Sequence, residues 1–474
     1  MWQKFVHWIE KNEGLILILL LVIILRIPSL YEPYWYGDEG IYLTLGQALR
    51  KGLVWYRDIH DNKPPMLYLV AAMAGNLFYF RLILLVWFEA TVVAFFRLMQ
   101  LMLPGKKAAW YWSTLMMIGL ITLVEGNIAN AEIFMALPTI IGLLLVFGGR
   151  RLLAAGCFFS MAFLFKVPAG FDFGAVWLWL IILEKNRLKN VFRLSLGFIL
   201  PILGTMGYYA IAGGLEPYVR SALFQNIGYL SSWNNSQSGL GGRALILIVL
   251  LGIIFILAKK FKLKTKLSLT MMWTVMALFG ALLSARPYPH YLIQPAIPGA
   301  ILISWFIFSQ KRVVRLMILG LAGVTILAYW QIHFWGYPIL AYYKNFGNYV
   351  LKKKSTEDYR NWFDAKVNQN YKVAAEIKEK TLKEERIFIW GDEPGIYALA
   401  ERLPIGRYTV AYHIIDFNGF KETIEAWDKQ PPKVVVVMEY ESKKFPEMDS
   451  RLSTNYVLTS EINQALIYRR VETK

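Results

Sequence analysis

Apolar runs of 17 or more residues recur along this chain from Leu15 to Phe334, separated by short clusters of lysine and arginine. A run of that length approaches or crosses a hydrocarbon layer of about 30 Å. The chain therefore reads as an α-helical polytopic membrane protein. Its composition agrees, because 56% hydrophobic and 18% charged residues depart from the roughly half and roughly a quarter of a soluble domain. The first run follows Lys4 and Lys11, but no small-residue cleavage site comes after it, so a permanent first span is expected rather than a cleaved signal.

The formal charge of +18 raises the question of nucleic acid, and the position of the charge answers it. Residues 335–474 hold 22 Lys+Arg against 20 Asp+Glu, whereas residues 1–334 hold 29 against 13. The surplus lies between apolar runs, at Lys106 and Lys107, Arg150 and Arg151, residues 185–193, 259–266 and 311–315. Short basic loops of this kind mark the cytoplasmic side of a membrane, so nucleic acid is not the expected partner and the bilayer is. The single cysteine, Cys157, lies in an apolar run and excludes an intrachain disulfide.

Placing every basic cluster in the cytoplasm predicts eleven spans, at about 14–30, 81–103, 108–124, 133–147, 152–165, 168–183, 191–212, 244–258, 267–283, 291–308 and 313–334. The N-terminus is then cytoplasmic and the C-terminal part extracytoplasmic, in a cell membrane crossed many times. The scheme requires that 66–80, about 15 apolar residues interrupted by Asn76, lie at the outer interface or re-enter. Apolar residues at Ile41, Leu45, Ala48 and Leu49 have the spacing of an interfacial helix over 41–51. Two domains follow: a membrane domain over 1–334, with interfacial helices in its first outer loop 31–80, and a small extracytoplasmic α/β domain over 335–474. The latter has strand candidates at 386–390 and 433–438 and helix candidates at 371–381 and 419–428.

With this topology the ionisable residues at the outer ends of the spans face one compartment. The first loop carries Asp38, Glu39, His60, Asp61 and Lys63. Later outer ends carry Glu125 to Glu132, Lys166, Arg286, His290 and Tyr291. Each has an ordinary reading beside a functional one. Asp38 and Glu39 suit a helix start, Lys63 suits snorkelling, Glu132 opens a span, and His290 suits a hydrogen-bonded packing role. Charges at a membrane boundary are nonetheless candidates for function by default, and their convergence on one side favours a shared site. Displacing a lipid phosphate from a sugar's anomeric carbon needs a carboxylate to take the acceptor's proton and cations to hold the departing phosphate. Asp38 is the expected base, with Glu39 beside it. Lys63 is the expected cation, with Lys166, Arg243 and Arg286 as further phosphate contacts. Asp61, Glu132, His290 and Tyr291 complete the expected pocket. The loop 213–242, with Tyr218, Arg220, Tyr229 and Trp233, reads equally as an acceptor lid or a plain connector.

Asp38-Glu39 after the first span, Asn62-Lys63-Pro64-Pro65 before an apolar segment, Asn130-Ala131-Glu132 opening a span, and Pro289-His290-Tyr291-Leu292-Ile293-Gln294-Pro295 together resemble the GT-C superfamily. The resemblance is to the protein O-mannosyltransferase and aminoarabinose-transferase-like enzymes. It implies a GT-C-like fold with a polyprenyl-phosphate-linked sugar as donor partner, Asp38 as base and Lys63 on the carrier phosphate. Many relatives have a glutamate or a histidine where this chain has Asn62. No cofactor is therefore required, and a divalent metal, if present, would fall to Glu39, Glu132 and His290. The Trp-Trp-Asp-Tyr-Gly signature of oligosaccharyltransferases is missing, which favours inverting transfer of a single sugar. The rival classes are a lipid or sugar transporter or flippase and a catalytically silent relative.

Overall fold

The computed structural model describes residues 2–183, 187–225, 239–438 and 444–471. Of the outer loop 213–242, Tyr229 and Trp233 lie outside the described residues, as does Lys185 of the basic cluster 185–193. The chain adopts the expected fold class, a set of apolar helices with a small sheet near the C-terminus. Among the described residues, seven helices are long and apolar enough to cross a membrane: Asn12–Tyr31, Leu77–Met102, Ala131–Gly149, Arg187–Ile211, Gly239–Lys260, Pro289–Phe308 and Arg312–Ile332. The other four expected spans are the helices Lys107–Leu123, Leu152–Phe165, Gly170–Leu183 and Thr265–Ala281, of 17, 14, 14 and 17 residues. At 1.5 Å per residue these reach roughly 21–26 Å, so a helix stands at each expected span and seven of them are 19 residues or longer.

Contacts divide the chain into two compact units. One comprises Met1–Ile27, Leu84–Tyr208 and Leu223–Ile339, and the other Pro28–Ile83, Tyr209–Ala222 and Leu340–Lys474. The first loop thus belongs with the C-terminal part of the chain. In the first unit, small residues let helices close on each other. A Cβ on Gly197 would fall 2.0 Å from the Leu153 carbonyl oxygen, and one on Gly156 would fall 2.2 Å from that of Leu194. Lipid supplies no hydrophobic drive between helices, and close backbone approach of this kind is what holds them together.

In the second unit the helix expected over 41–51 runs Gly37–Arg50, four residues earlier than its apolar spacing suggested. The helix Met66–Ala74 is stopped by Gly75 at φ 80°, and its nine residues cover only about 14 Å. The long helix Leu77–Met102 begins just after it. Gly46 lies on the backbone of Ala71 and Ala72, and Gly40 on that of Gly395. Gly395 lies in the C-terminal part, so a side chain on Gly40 would push the two pieces apart.

The sheet has strands β1 (Ile387–Trp390), β2 (Val434–Val437), β3 (Tyr456–Ile462) and β4 (Ala465–Arg470) in the order β1-β2-β4-β3. β1 and β2 are parallel, with Ile387 opposite Val434, and the other pairs are antiparallel. Both faces of β1 are buried, Ile387 and Ile389 toward Val373 and Ile377, and Phe388 and Trp390 toward Trp427 and Phe445. The expected strands and helices appear within a few residues of their sequence positions, the helices as Val367–Lys380 and Phe420–Lys429. The β3–β4 hairpin was not anticipated. Its turn residues Asn463 and Gln464 have φ of 46° and 70°, a two-residue geometry that matches strand twist but lacks the usual glycine.

Candidate functional site

The second unit gathers Asp38, Asp61 and Lys63. Asp38 stands in the first turn of Gly37–Arg50. One of its oxygens accepts the Tyr42 hydroxyl at 2.8 Å and lies 3.3 Å from Lys63 Nζ. Tyr42 is one helical turn on, and burial pushes its phenol well above the usual range, so it remains a donor. Lys63 also lies 4.0 Å from Asp61 and 5.0 Å from the centre of the Tyr42 ring. Asp61 is fully buried and accepts from the Tyr68 hydroxyl at 2.7 Å and the Asn62 N–H at 2.8 Å. The two outer groups of this trio keep contact with solvent, 18% for the Lys63 side chain and 31% for that of Asp38. A cation and a carboxylate are thereby presented together from a rigid base.

Glu39, the neighbour of Asp38, points the other way. Both of its oxygens are held by Arg81, whose Nε donates to Oε1 at 2.9 Å and whose Nη2 donates to Oε2. Arg81 Nη1 meets Glu32 at 2.8 Å and the Ser29 carbonyl at 2.9 Å. Glu32 accepts in addition from Trp35 Nε1 at 2.8 Å and from the Tyr342 hydroxyl at 2.6 Å. These charged side chains are essentially out of solvent. Glu39 therefore anchors the turn that carries Asp38, and its carboxylate is not presented to a substrate.

The C-terminal part of the chain reaches the same trio. His413 Nε2 is 3.9 Å from Asp61 Oδ1, and the His60 N–H donates to the Arg407 carbonyl at 2.8 Å. Burial holds His413 down at about 4 against the opposing pull of Asp61, and holds His60 well below its usual range.

The first unit gathers a second set. Glu132, in the first turn of Ala131–Gly149, pairs with Lys166 at the end of Leu152–Phe165. His290 Nε2 lies 3.8 Å from the same Glu132 oxygen, and its Nδ1 lies 2.9 Å from Glu125. Trp335 Nε1 donates to the other Glu125 oxygen at 3.1 Å. Lys166 Nζ stands 4.2 Å from the centre of the Tyr291 ring, a favourable cation–π distance.

Arg243 is held by backbone carbonyls. Its guanidinium donates to the carbonyls of Gly239 and Leu282, and it lines a mainly apolar cavity of about 650 Å³. Leu247, Leu250, Phe279 and Leu327 line the same cavity, with Gln331 and His333 among its polar lining residues. From the loop after Thr265–Ala281, Ala285 and Pro287 reach the cavity lining, whereas Arg286 does not.

No protein-family profile and no curated protein matches the chain. Among solved structures, it is similar to ArnT from Cupriavidus metallidurans bound to undecaprenyl phosphate, at 12% identity and a TM-score of 0.58, over 98% of this chain and 99% of that one. The apo state of the same protein matches at 13% identity and 0.57, over 97% and 98%. The chain has the fold of these ArnT structures. The helices and the C-terminal sheet are both included in that likeness, which runs nearly end to end.

The metal ligands expected from sequence do not fit. Glu39 is closed off by Arg81, and among the described residues no group of three or more His, Cys, Asp or Glu is gathered to hold an ion. Sequence reasoning passed over Arg81 as the start of a span, and over Glu32, His413 and Asp172. A charge inside an apolar run was the available signal for Arg81 and Asp172; His413 had none.

Two outcomes are expected. Arg81→Met leaves two carboxylates buried without a cation and should cost about 3–5 kcal/mol, read as a lowered unfolding midpoint in detergent. Arg81→Met with Glu32→Gln and Glu39→Gln should recover part of the loss. His413 has a folded value of about 4 below an unfolded value near 6.5, so the unfolded chain takes up the proton first. Stability is intact above about pH 6.5 and is lost as pH falls toward about 4, by up to about 3 kcal/mol. Thermal unfolding at pH 7.5 and 5 checks this, and His413→Gln should shallow the dependence.

Proposed function

We propose that this protein is a membrane glycosyltransferase that moves a single sugar from a polyprenyl-phosphate carrier to an acceptor hydroxyl on the extracytoplasmic face, with inversion. The observation that carries the reading is the pairing of Asp38 with Lys63 on a buried scaffold. Asp38 takes the proton of the acceptor hydroxyl. The oxygen attacks the anomeric carbon, the bond from that carbon to the phosphate oxygen breaks, and its electron pair leaves with the polyprenyl phosphate. Lys63 exchanges its contact with Asp38 for the phosphate, which frees the carboxylate for the proton.

Three further facts support it. A solved structure with the same fold holds undecaprenyl phosphate. The 650 Å³ cavity beside Arg243 is lined as an isoprenoid chain requires, apolar along its length with a cation in its wall. Lys166, paired with Glu132, is a further candidate for the phosphate. The first loop, the segment Tyr209–Ala222 and the C-terminal part form one compact unit, which agrees with all three lying on the extracytoplasmic side. The sugar and the acceptor are not specified by these residues.

The test uses the full chain in nanodiscs with a panel of polyprenyl-phosphate sugars, and follows release of polyprenyl phosphate. Asp38→Asn should bind the carrier yet lose about 10²–10⁴-fold in transfer, the range of general-base catalysis. Lys63→Ala should weaken carrier binding about 10–100-fold, as expected for a charge-assisted bond. Full activity in Asp38→Asn would remove it from the mechanism, and movement of intact lipid without phosphate release would make the protein a transporter.

A further inference from the structure

Asp172 is a carboxyl group set inside the helices of the first unit, 2% exposed. Its Oδ1 accepts the indole N–H of Trp273 at 2.7 Å, and its Oδ2 accepts from Gln294 Nε2 at 3.0 Å. The same amide nitrogen donates to the Pro168 carbonyl at 2.9 Å. Gly280 makes room for the amide, since a Cβ there would stand 3.0 Å from Gln294 Oε1. Asp172, Trp273 and Gln294 are each no more than 3% exposed, so none of them is offered to a ligand. Burying such groups is expensive unless their hydrogen bonds are made, and here those bonds are spent on joining three helices.

The chain positions that are joined decide what the network does. Pro168 lies in the short turn Val167–Ala169, directly after Lys166. Gln294 lies in the first turn of Ile293–Phe308, four residues after His290. One side-chain amide therefore ties the backbone just beyond Lys166 to the backbone just beyond His290. Through Asp172, the tie extends to Trp273 on Thr265–Ala281. A primary amide has the two N–H donors this requires, one for a carbonyl and one for a carboxyl.

We infer that Gln294, Asp172 and Trp273 are positioning residues, which set the separation of Lys166 and His290 and so hold Lys166 against Glu132 where it can meet a phosphate. This rests on the reading of Lys166 as a phosphate contact of a polyprenyl-phosphate enzyme. A network that only supported folding would lower stability without regard to Lys166; a positioning network acts through it.

The experiment measures the Kd of undecaprenyl phosphate for the full chain in nanodiscs, with the unfolding midpoint taken alongside. Gln294→Leu is expected to raise Kd about fivefold to tenfold. In a Lys166→Ala background it should add less than twofold, because the group it positions is gone. Asp172→Asn keeps the shape and the acceptor for Trp273 and should show the same pattern, which serves if Gln294→Leu folds poorly. Equal effects in both backgrounds, or unchanged Kd in both single variants, would overturn the inference and leave the functional reading standing. A wild-type chain that binds no undecaprenyl phosphate would overturn the functional reading and this inference together.

Discussion

The guanidinium of Arg81 is the point on which the first-loop unit is built. Removing three charged side chains from water costs several kcal/mol per ion, and the cost is met only because Glu39 is gripped by two nitrogens while Glu32 takes the third. The geometry leaves no slack. Glu39 is fixed, so its neighbour Asp38 is fixed facing the other way, toward Lys63. A partly exposed carboxylate gains a defined direction from being one residue along a helix from an immovable one.

The two clusters, one in each unit, differ in how their charges are held. Asp38 is held by the Tyr42 hydroxyl and by a lysine, and both ends of that ion pair keep part of their surface in solvent. Around Glu132 the partners are Lys166 and a histidine that is itself held by Glu125, which is in turn held by Trp335. The second arrangement is a chain of mutually oriented groups, and it keeps each in one rotamer.

How much of this was legible in the sequence depended on whether the responsible signal was local. The apolar runs were legible because each needs only its own residues to read as a helix, although their lengths were not, since four of the helices, such as Gly170–Leu183, have 17 residues or fewer. Strands β1 and β2 were legible from unbroken Ile, Phe and Val. The β3–β4 hairpin was not, because its turn is Asn463-Gln464 and glycine is the cue one searches for. At the site, Asp38 and Lys63 were legible as a pair on one loop. The opposite fates of Asp38 and Glu39 were not, because the residue that separates them, Arg81, lies 42 positions further on. Likewise His413 reaches Asp61 across more than three hundred residues, and nothing local announces it.

The Tyr342 hydroxyl bond to Glu32 joins residues 310 positions apart, and that separation has a consequence for the order of events at the ribosome. Glu32, Glu39 and Arg81 are all made early, within one short stretch. Tyr342, Gly395, Arg407 and His413 follow tens of seconds later at about 5–20 residues per second. During that interval the nascent first loop can close its charged core but must wait, still wetted on one side, for the late-made tail that seals it.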